Sequence, residues 1–207
     1  PLQALCTNKL QGTVGTATAS LMMLRHGKVK WAEVKVLMAW AFAGSALGSL
    51  IVQLVDTSFL RFMIPLVLVV VATYFLLQGS LFKRLRPIKL APTLFGRGVV
   101  PAIGLYDGMF GPGTGSFFSL AGVALQAQPL LQATATAKTL NFASNFASLL
   151  VFVVAANFVW QAALVMMVGQ ALGAWAGSHI LFKINPLYLR VLIVLMCLGM
   201  LVRYLAG

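Results

Sequence analysis

The residues best suited to chemistry lie in a glycine-rich segment in the middle of the chain. Residues 104–118 read GLYDGMFGPGTGSFF and contain one carboxylate, Asp107, beside a backbone broken by Pro112 and several glycines. Both features are costly in lipid, because a charge loses its hydration and a non-helical backbone leaves polar groups without partners. In a chain that is otherwise mostly apolar, their coincidence predicts a functional site.

The second half of this segment indicates an anion as the ligand. A half-helix that begins near Thr114 and continues to Phe118 would present free backbone N–H groups and the positive end of its dipole to the site. The glycine spacing also resembles a nucleotide-binding phosphate loop, but Thr114 stands where that motif requires lysine. We therefore expect a small anion and not a nucleotide.

Two other segments carry matching polar stripes. In the helix predicted from about Ala133, polar residues recur at steps of three, four and three and so share one face: Lys138, Asn141, Asn145 and Ser148. An equivalent stripe with smaller groups lies near the start of the chain: Lys9, Thr13, Thr16 and Ser20. A lysine at mid-bilayer costs roughly 2.5–3.5 kcal/mol, so two equivalent lysines predict a cationic pocket.

Each of these features also has a purely structural interpretation. Lys138 could snorkel to the lipid headgroups, the polar stripes could hydrogen-bond helices together, and Asp107 could form a salt bridge with one of the lysines. The small-residue pairs Gly44–Gly48 and Gly173–Gly177 favour helix packing over ligand binding. His26, in a basic loop, and His179, at a helix end, are assigned no role.

The composition predicts the elements that must position these residues. Of the 207 residues 60% are hydrophobic and 9% are charged, and the mean hydropathy is +0.95, which is typical of an all-α, multi-pass membrane protein. The 15 basic residues against 3 acidic ones lie at the ends of apolar runs, as topology signals do, and do not indicate nucleic acid. Cysteine and histidine spacing predicts no metal site, and we expect no cofactor and no enzymatic activity.

Apolar runs of about 20 residues predict six ordinary membrane spans. They lie near residues 8–24, 32–55, 59–77, 133–156, 161–182 and 187–205. The block at 94–125 differs, because its central glycines and proline cannot sustain one helix, and it is predicted to be a broken or re-entrant hairpin.

An internal repeat organises these spans. At an offset of 129 residues Trp31 falls on Trp160, and further pairs coincide, among them Lys9 with Lys138 and Gly44 with Gly173. The prediction is a first repeat at 1–82, a basic cytoplasmic linker at 83–97 and a second repeat at 98–207. The block at 94–125 has no counterpart before Pro1, so an N-terminal truncation is expected, and the positive loop charges favour inverted repeats.

The combination of GLYDGMFGPGTGSFF (104–118), ATATAKTLNFASNFASLLVF (133–152) and LCTNKLQGTVGTATA (5–19) resembles the TauE/SafE family, also called the 4-toluene sulfonate uptake permease family. The resemblance covers essentially the whole chain. It implies a bacterial inner-membrane transporter of small sulfur-containing anions, such as sulfite, sulfoacetate or other sulfonates. The family's motif residues fall on Thr7, Asn8, Lys9, Gln11, Tyr106, Asp107, Gly111, Pro112, Gly113, Thr114, Gly115, Lys138, Asn141, Ser144 and Asn145.

The residues and the resemblance together give one mechanistic hypothesis, that of a proton-coupled exporter. Asp107 would take up and release the coupling proton. The predicted anion-binding residues are Asn8, Lys9, Gly113, Thr114, Gly115, Ser116, Lys138, Asn141 and Asn145. A homodimer is also predicted. The alternatives are a membrane scaffold that transports nothing and a permease that takes up another small anion.

Overall fold

The computed structural model describes residues 2–55, 88–155 and 160–180, together with single positions at 66, 69, 70 and 73. Within these ranges the chain is helical and contains no strand, which confirms the all-α class. The predicted span at 187–205 lies outside the described residues, as does nearly all of the span at 59–77. The linker predicted at 83–97 is described only from residue 88.

The helices of the described ranges are α1 (Leu2–Arg25), α2 (Trp31–Leu54), α3 (Val100–Met109), α4 (Thr114–Gln126), α5 (Leu130–Ala155) and α6 (Trp160–Ile180). Among the described residues, α2 and the Leu130–Val154 part of α5 are long and apolar enough to cross a membrane. α1 ends in a Schellman motif, in which Gly27 has a φ of 64° and the Lys28 amide bonds to the Met23 carbonyl at 3.0 Å.

A short π-helical turn, Phe95–Val99, leads into α3. Pro101 follows directly and has no N–H group, so the regular i to i−4 bond is lost at this point. The Val100 amide bonds instead to the Phe95 carbonyl, five residues back.

The glycine-rich segment forms a helical hairpin. α3 ends at Met109, and α4 begins at Thr114 after a turn in which Gly111 and Gly113 have φ values of 91° and 80°. The two ends of the block meet, because the Ile88 amide bonds to the Ala124 carbonyl at 2.8 Å and the Leu90 amide bonds to the Leu125 carbonyl at 2.9 Å. The block thus consists of two half-helices that fold back on each other, and its re-entry on one side of the membrane stays a prediction.

α3 lies against α2 at backbone distance. A Cβ atom on Gly44 would overlap the Pro101 carbonyl, and one on Gly48 would overlap the Leu105 carbonyl. The packing interpretation of this glycine pair is confirmed. The corresponding interpretation of Gly173 and Gly177 stays a prediction, because among the described residues a Cβ on either meets nothing within 4 Å.

α5 is the central helix of the described bundle. It packs against α1, α2 and α4, while α1 also packs against α6. Ser148 of α5 shares a hydrogen bond of 2.7 Å with Ser45 of α2, and both side chains are fully buried. Ser148 thus joins two helices, as the structural interpretation of its stripe predicted. The other residues of that stripe, Lys138, Asn141 and Asn145, face α1 and α6.

Candidate functional site

Asp107 forms an ion pair with Lys9 inside the bundle. Lys9 Nζ lies 3.0 Å from Asp107 Oδ1, and each side chain is 1% exposed. Lys9 Nζ also donates to the backbone carbonyl of Asp107, and the Thr114 hydroxyl donates to Asp107 Oδ1 at 2.9 Å. Residues of α1 and α4 therefore both contact this carboxylate. The structure shows the salt bridge that the sequence analysis gave as an alternative.

The second carboxylate oxygen of Asp107 has no such partner. Oδ2 is buried and accepts no hydrogen bond from the residues that the structure describes. A buried acceptor without a donor is unusual, because it loses its hydration without replacement.

Gly111 separates this ion pair from an internal cavity. A Cβ atom at Gly111 would lie 3.5 Å from Lys9 Nζ and 3.8 Å from Asp107 Oδ1, and Gly111 itself lines the cavity. The ion pair therefore lies directly behind the cavity wall.

The cavity lies between α1, α5 and α6 and has a volume of about 570 Å³. This volume is within the range of about 300–1,000 Å³ that is usual for small-molecule sites. Most of the polar lining comes from amides and hydroxyls. The lining residues are Asn8, Gln11, Gly12, Gly15, Thr16, Ala19, Met23, Gly111, Lys138, Asn141, Asn145, Gln170, Gly173, Ala174, Gly177 and Ser178.

Lys138 lines this cavity without a carboxylate partner in the described part of the chain. The sequence has three acidic residues. Asp107 is paired with Lys9, and Glu33 lies 3.6 Å from Lys30 at the surface. The third, Asp56, is outside the described ranges. The position of Lys138 in the cavity wall favours a role inside the protein over snorkelling.

Two pairs of amides line the same cavity as Lys138. Gln11 donates to Asn8 Oδ1 at 2.6 Å, and Asn145 donates to Asn141 Oδ1 at 3.1 Å. In each pair one side chain acts as the acceptor, so its own NH₂ group keeps its donors for another partner. The cavity thus combines a cation with hydrogen-bond donors, which is the set that an oxyanion requires.

The structure brings together only part of the predicted site. Asn8, Lys138, Asn141 and Asn145 line the cavity. The remaining predicted binding residues do not line it: Lys9, Gly113, Thr114, Gly115 and Ser116. Gly115 comes nearest, since a Cβ there would lie 3.4 Å from Asn141 Nδ2.

The free amides expected at the start of α4 are engaged in the turn. The Thr114 amide bonds to the Gly111 carbonyl at 3.4 Å, and the Ser116 and Phe117 amides bond to the Gly113 carbonyl at 2.9 and 3.1 Å. The Thr114, Ser116 and Phe117 amides are therefore not free for an anion, because the tight glycine turn already satisfies them.

Gln170 is a cavity residue that the sequence interpretation did not identify. Its side chain faces α1, because a Cβ on Gly15 would lie 2.7 Å from Gln170 Oε1. The other amide of α6, Gln161, is nine residues away and lies on the opposite face of the helix, so Gln170 produces no polar stripe. Its occurrence inside a predicted span was the available signal.

Comparisons with known proteins agree with the resemblance seen in the sequence. The family model described as "Sulfite exporter TauE/SafE" matches residues 1–204. A "Probable membrane transporter protein" of Haemophilus influenzae is 40% identical over 196 residues, which are 95% of this chain and 77% of that protein. The "Probable membrane transporter protein ORF9" of Sinorhizobium sp. is 38% identical over 206 residues, covering 100% of this chain and 79% of the relative.

A third relative is the "Probable membrane transporter protein YfcA" of Escherichia coli K12, which is 37% identical over 195 residues, or 94% of this chain and 72% of its own length. No solved structure matches significantly. With a family model that covers nearly all its residues, and with relatives named as membrane transporters, the chain belongs to the TauE/SafE family of membrane proteins.

Proposed function

We propose that this protein is a multi-pass secondary transporter of the bacterial inner membrane that exports a small sulfur-containing oxyanion through the cavity between α1, α5 and α6. The observation that carries the proposal is Lys138, a cation in the cavity wall with no carboxylate partner among the described residues. An ammonium group held inside a membrane protein is costly unless an opposite charge compensates it. A bound anion supplies that charge.

The charges of the site favour a monovalent anion. Lys9 and Asp107 cancel each other, so that Lys138 leaves one net positive charge beside the cavity. A sulfonate carries one negative charge and three acceptor oxygens, which match one ammonium and the amide donors of Asn8 and Asn141. The volume of about 570 Å³ leaves room for an organic substituent or for hydrating water. The family description as a sulfite exporter supports sulfur oxyanions as the substrate class.

Asp107 is the proposed proton carrier. While Asp107 is charged, its carboxylate offsets the attraction between Lys9 and an anion on the other side of Gly111. Opposite charges about 4 Å apart attract by roughly 4 kcal/mol at an effective dielectric constant of about 20. Protonation of Asp107 would release Lys9 from its partner and add this attraction. Lys9 is therefore assigned to proton coupling, whereas the sequence suggested that it binds the anion directly.

The helix arrangement supports the proposed inverted repeats. α1 packs against α6, and α5, which corresponds to α1 at the offset of 129 residues, packs against α2. Such an exchange of partners is what a two-fold relation between repeats produces. The hairpin formed by α3 and α4 enters and leaves on one side, as inverted topology requires.

Flux measurements in proteoliposomes test the proposal. Wild-type protein is expected to move sulfite or a sulfonate faster than a non-sulfur anion, and Lys138→Ala is expected to abolish this flux. Lys30→Ala is the matched control, because Lys30 is 79% exposed and lies at the start of α2, away from the cavity. Equal flux of Lys138→Ala and wild type would contradict the proposed site. Equal flux of all anions would contradict the sulfur specificity.

The same assay separates transport from the scaffold alternative. A scaffold gives no flux for any anion, whereas uptake of another anion gives flux without preference for sulfur compounds. Sulfite, thiosulfate, sulfoacetate and a non-sulfur anion together form a sufficient panel.

A further inference from the structure

The two histidines of this chain meet at one end of the cavity. The sequence contains only His26 and His179, which are far apart along the chain. In the structure their ring centroids lie 6.4 Å apart, with the rings nearly perpendicular. His26 follows the last residue of α1, and His179 lies in the last turn of α6.

Each imidazole ring makes a hydrogen bond that favours the tautomer of a metal ligand. His26 Nδ1 lies 2.8 Å from the Met22 carbonyl, and His179 Nδ1 lies 2.9 Å from the Trp175 carbonyl. Because a carbonyl oxygen can only accept, each neutral ring carries its proton on Nδ1 and keeps the lone pair on Nε2. Histidines that bind metals are usually fixed by a second hydrogen bond of this kind.

The separation of the rings also suits one shared metal ion. Metal–nitrogen bonds are about 2.0–2.1 Å long, so two imidazoles on one ion have ring centroids about 5.2 Å apart at a tetrahedral angle and about 6.4 Å apart when they lie opposite each other. The observed 6.4 Å is as wide as the opposite arrangement, and both side chains are exposed and able to adjust to a tetrahedral one.

We propose that His26 and His179 form a two-imidazole site for a divalent transition-metal ion of the Zn²⁺, Ni²⁺ and Cu²⁺ class. Imidazole nitrogen selects these ions over Mg²⁺ and Ca²⁺, which prefer oxygen ligands. Two protein ligands leave the other coordination positions to water or to an anion. The basic side chains of Arg25 and Lys28 flank His26 in sequence and weaken the binding of any cation.

A metal ion at this position would tie α1 to α6. Met23 of α1 and Ser178 of α6 line the same end of the cavity, and each is next to or within one turn of a histidine. A bridge between the histidines would therefore restrict separation of the two helices that enclose the cavity. The bound metal is therefore expected to inhibit transport. This inhibition rests on the proposed transport function, whereas the metal binding itself does not.

Tryptophan fluorescence gives a direct assay of binding. The ring of Trp175 lies 4.8 Å from that of His179, so Cu²⁺ or Ni²⁺ bound there is expected to quench it. The protein is prepared without a polyhistidine tag and titrated with each metal salt alone. Saturable quenching is expected for wild type, and His26→Ala and His179→Ala are each expected to weaken apparent affinity by about tenfold or more.

Controls and a second measurement make the result decisive. Leu21→Ala changes an exposed side chain on α1 that is 49% accessible and is expected to bind like wild type, while Mg²⁺ is expected to produce no quenching. Calorimetry on Trp175→Phe is expected to show unchanged binding with most of the quenching lost. Unchanged affinity in both histidine variants would overturn the site.

Flux in proteoliposomes then tests the consequence separately. Zn²⁺ is expected to inhibit wild-type flux and not that of His179→Ala. Binding without inhibition would overturn the bridge between α1 and α6 and retain the metal site. Absence of flux in wild type without metal would refute the proposed function and leave the fluorescence result standing.

Discussion

Replacing Lys9 and Lys138, one at a time, by methionine is expected to change stability in opposite directions. Lys9 Nζ lies 3.0 Å from Asp107 Oδ1 with both side chains 1% exposed, a separation at which opposite charges attract by roughly 5 kcal/mol at an effective dielectric constant of about 20. Lys9→Met leaves the carboxylate buried and unpaired, and loss of one partner from a buried pair typically costs about 3–5 kcal/mol. We expect destabilisation of that size.

Lys138→Met removes a charge that has no carboxylate partner in the described part of the chain. Insertion of a lysine at mid-bilayer costs roughly 2.5–3.5 kcal/mol. Because Lys138 faces a polar cavity and not lipid, only part of this cost is recovered, and we expect a gain of about 1–3 kcal/mol. Transport is lost at the same time, since the anion loses its counter-charge.

Equilibrium unfolding in mixed SDS micelles, followed by tryptophan fluorescence, measures both changes. Lys30→Met is the control and is expected to stay within about 0.5 kcal/mol of wild type, as exposed ion pairs contribute little. A double-mutant cycle of Lys9→Met with Asp107→Asn is expected to give a coupling energy above about 0.5 kcal/mol. Stability changes of the same sign at Lys9 and Lys138, or additive effects in the cycle, would refute the assignment of one paired and one unpaired lysine.

Three further predictions concern the glycines and the proposed proton carrier. Gly48→Ala is expected to destabilise the protein by about 1–3 kcal/mol, because its Cβ overlaps the Leu105 carbonyl. Gly177→Ala is expected to change stability by less than about 0.5 kcal/mol in the same unfolding assay. Equal effects of the two substitutions would show that the face of α6 that carries Gly177 is covered. Gly111→Ala is expected to cost about 1–3 kcal/mol, because its φ is 91°, and to reduce flux, which thermal unfolding and transport assays measure separately. In wild type, anion affinity measured by calorimetry is expected to rise as pH falls, because protonation removes the carboxylate charge of Asp107. In Asp107→Asn the affinity is expected to be independent of pH. A wild-type pH profile in the variant would contradict the assignment of Asp107 as the proton carrier.

Patterns local in sequence were sufficient to predict the helices and the hairpin. Pro112 and the neighbouring glycines cannot continue a helix, and the break lies where they do, between Met109 and Thr114. The stripe of Lys138, Asn141 and Asn145 follows from helical periodicity alone, and all three residues line the cavity. Each of these features depends on a few consecutive turns.

Features that depend on tertiary packing were not predictable in the same way. Asp107 could have paired with either lysine, since both lie on equivalent faces. It pairs with Lys9 because of how α1 packs against the hairpin, and the two residues are 98 positions apart in the chain. The amides of Thr114 and Ser116 are satisfied by the turn itself, which requires the positive φ of Gly111 and Gly113. Gln170 gave no periodic signal because the other amide of α6, Gln161, lies nine residues away on the opposite face.

The two lysines illustrate how a repeated element acquires two roles. Lys9 and Lys138 correspond at the offset of 129 residues, yet the first is neutralised by the hairpin aspartate and the second faces the cavity. A protein that needed only structural ion pairs would balance both cations, and apolar residues would serve stability better at an unbalanced position. The charge at Lys138 is therefore explained by a charged partner that binds and dissociates. A translocated anion, as the proposed function requires, is such a partner.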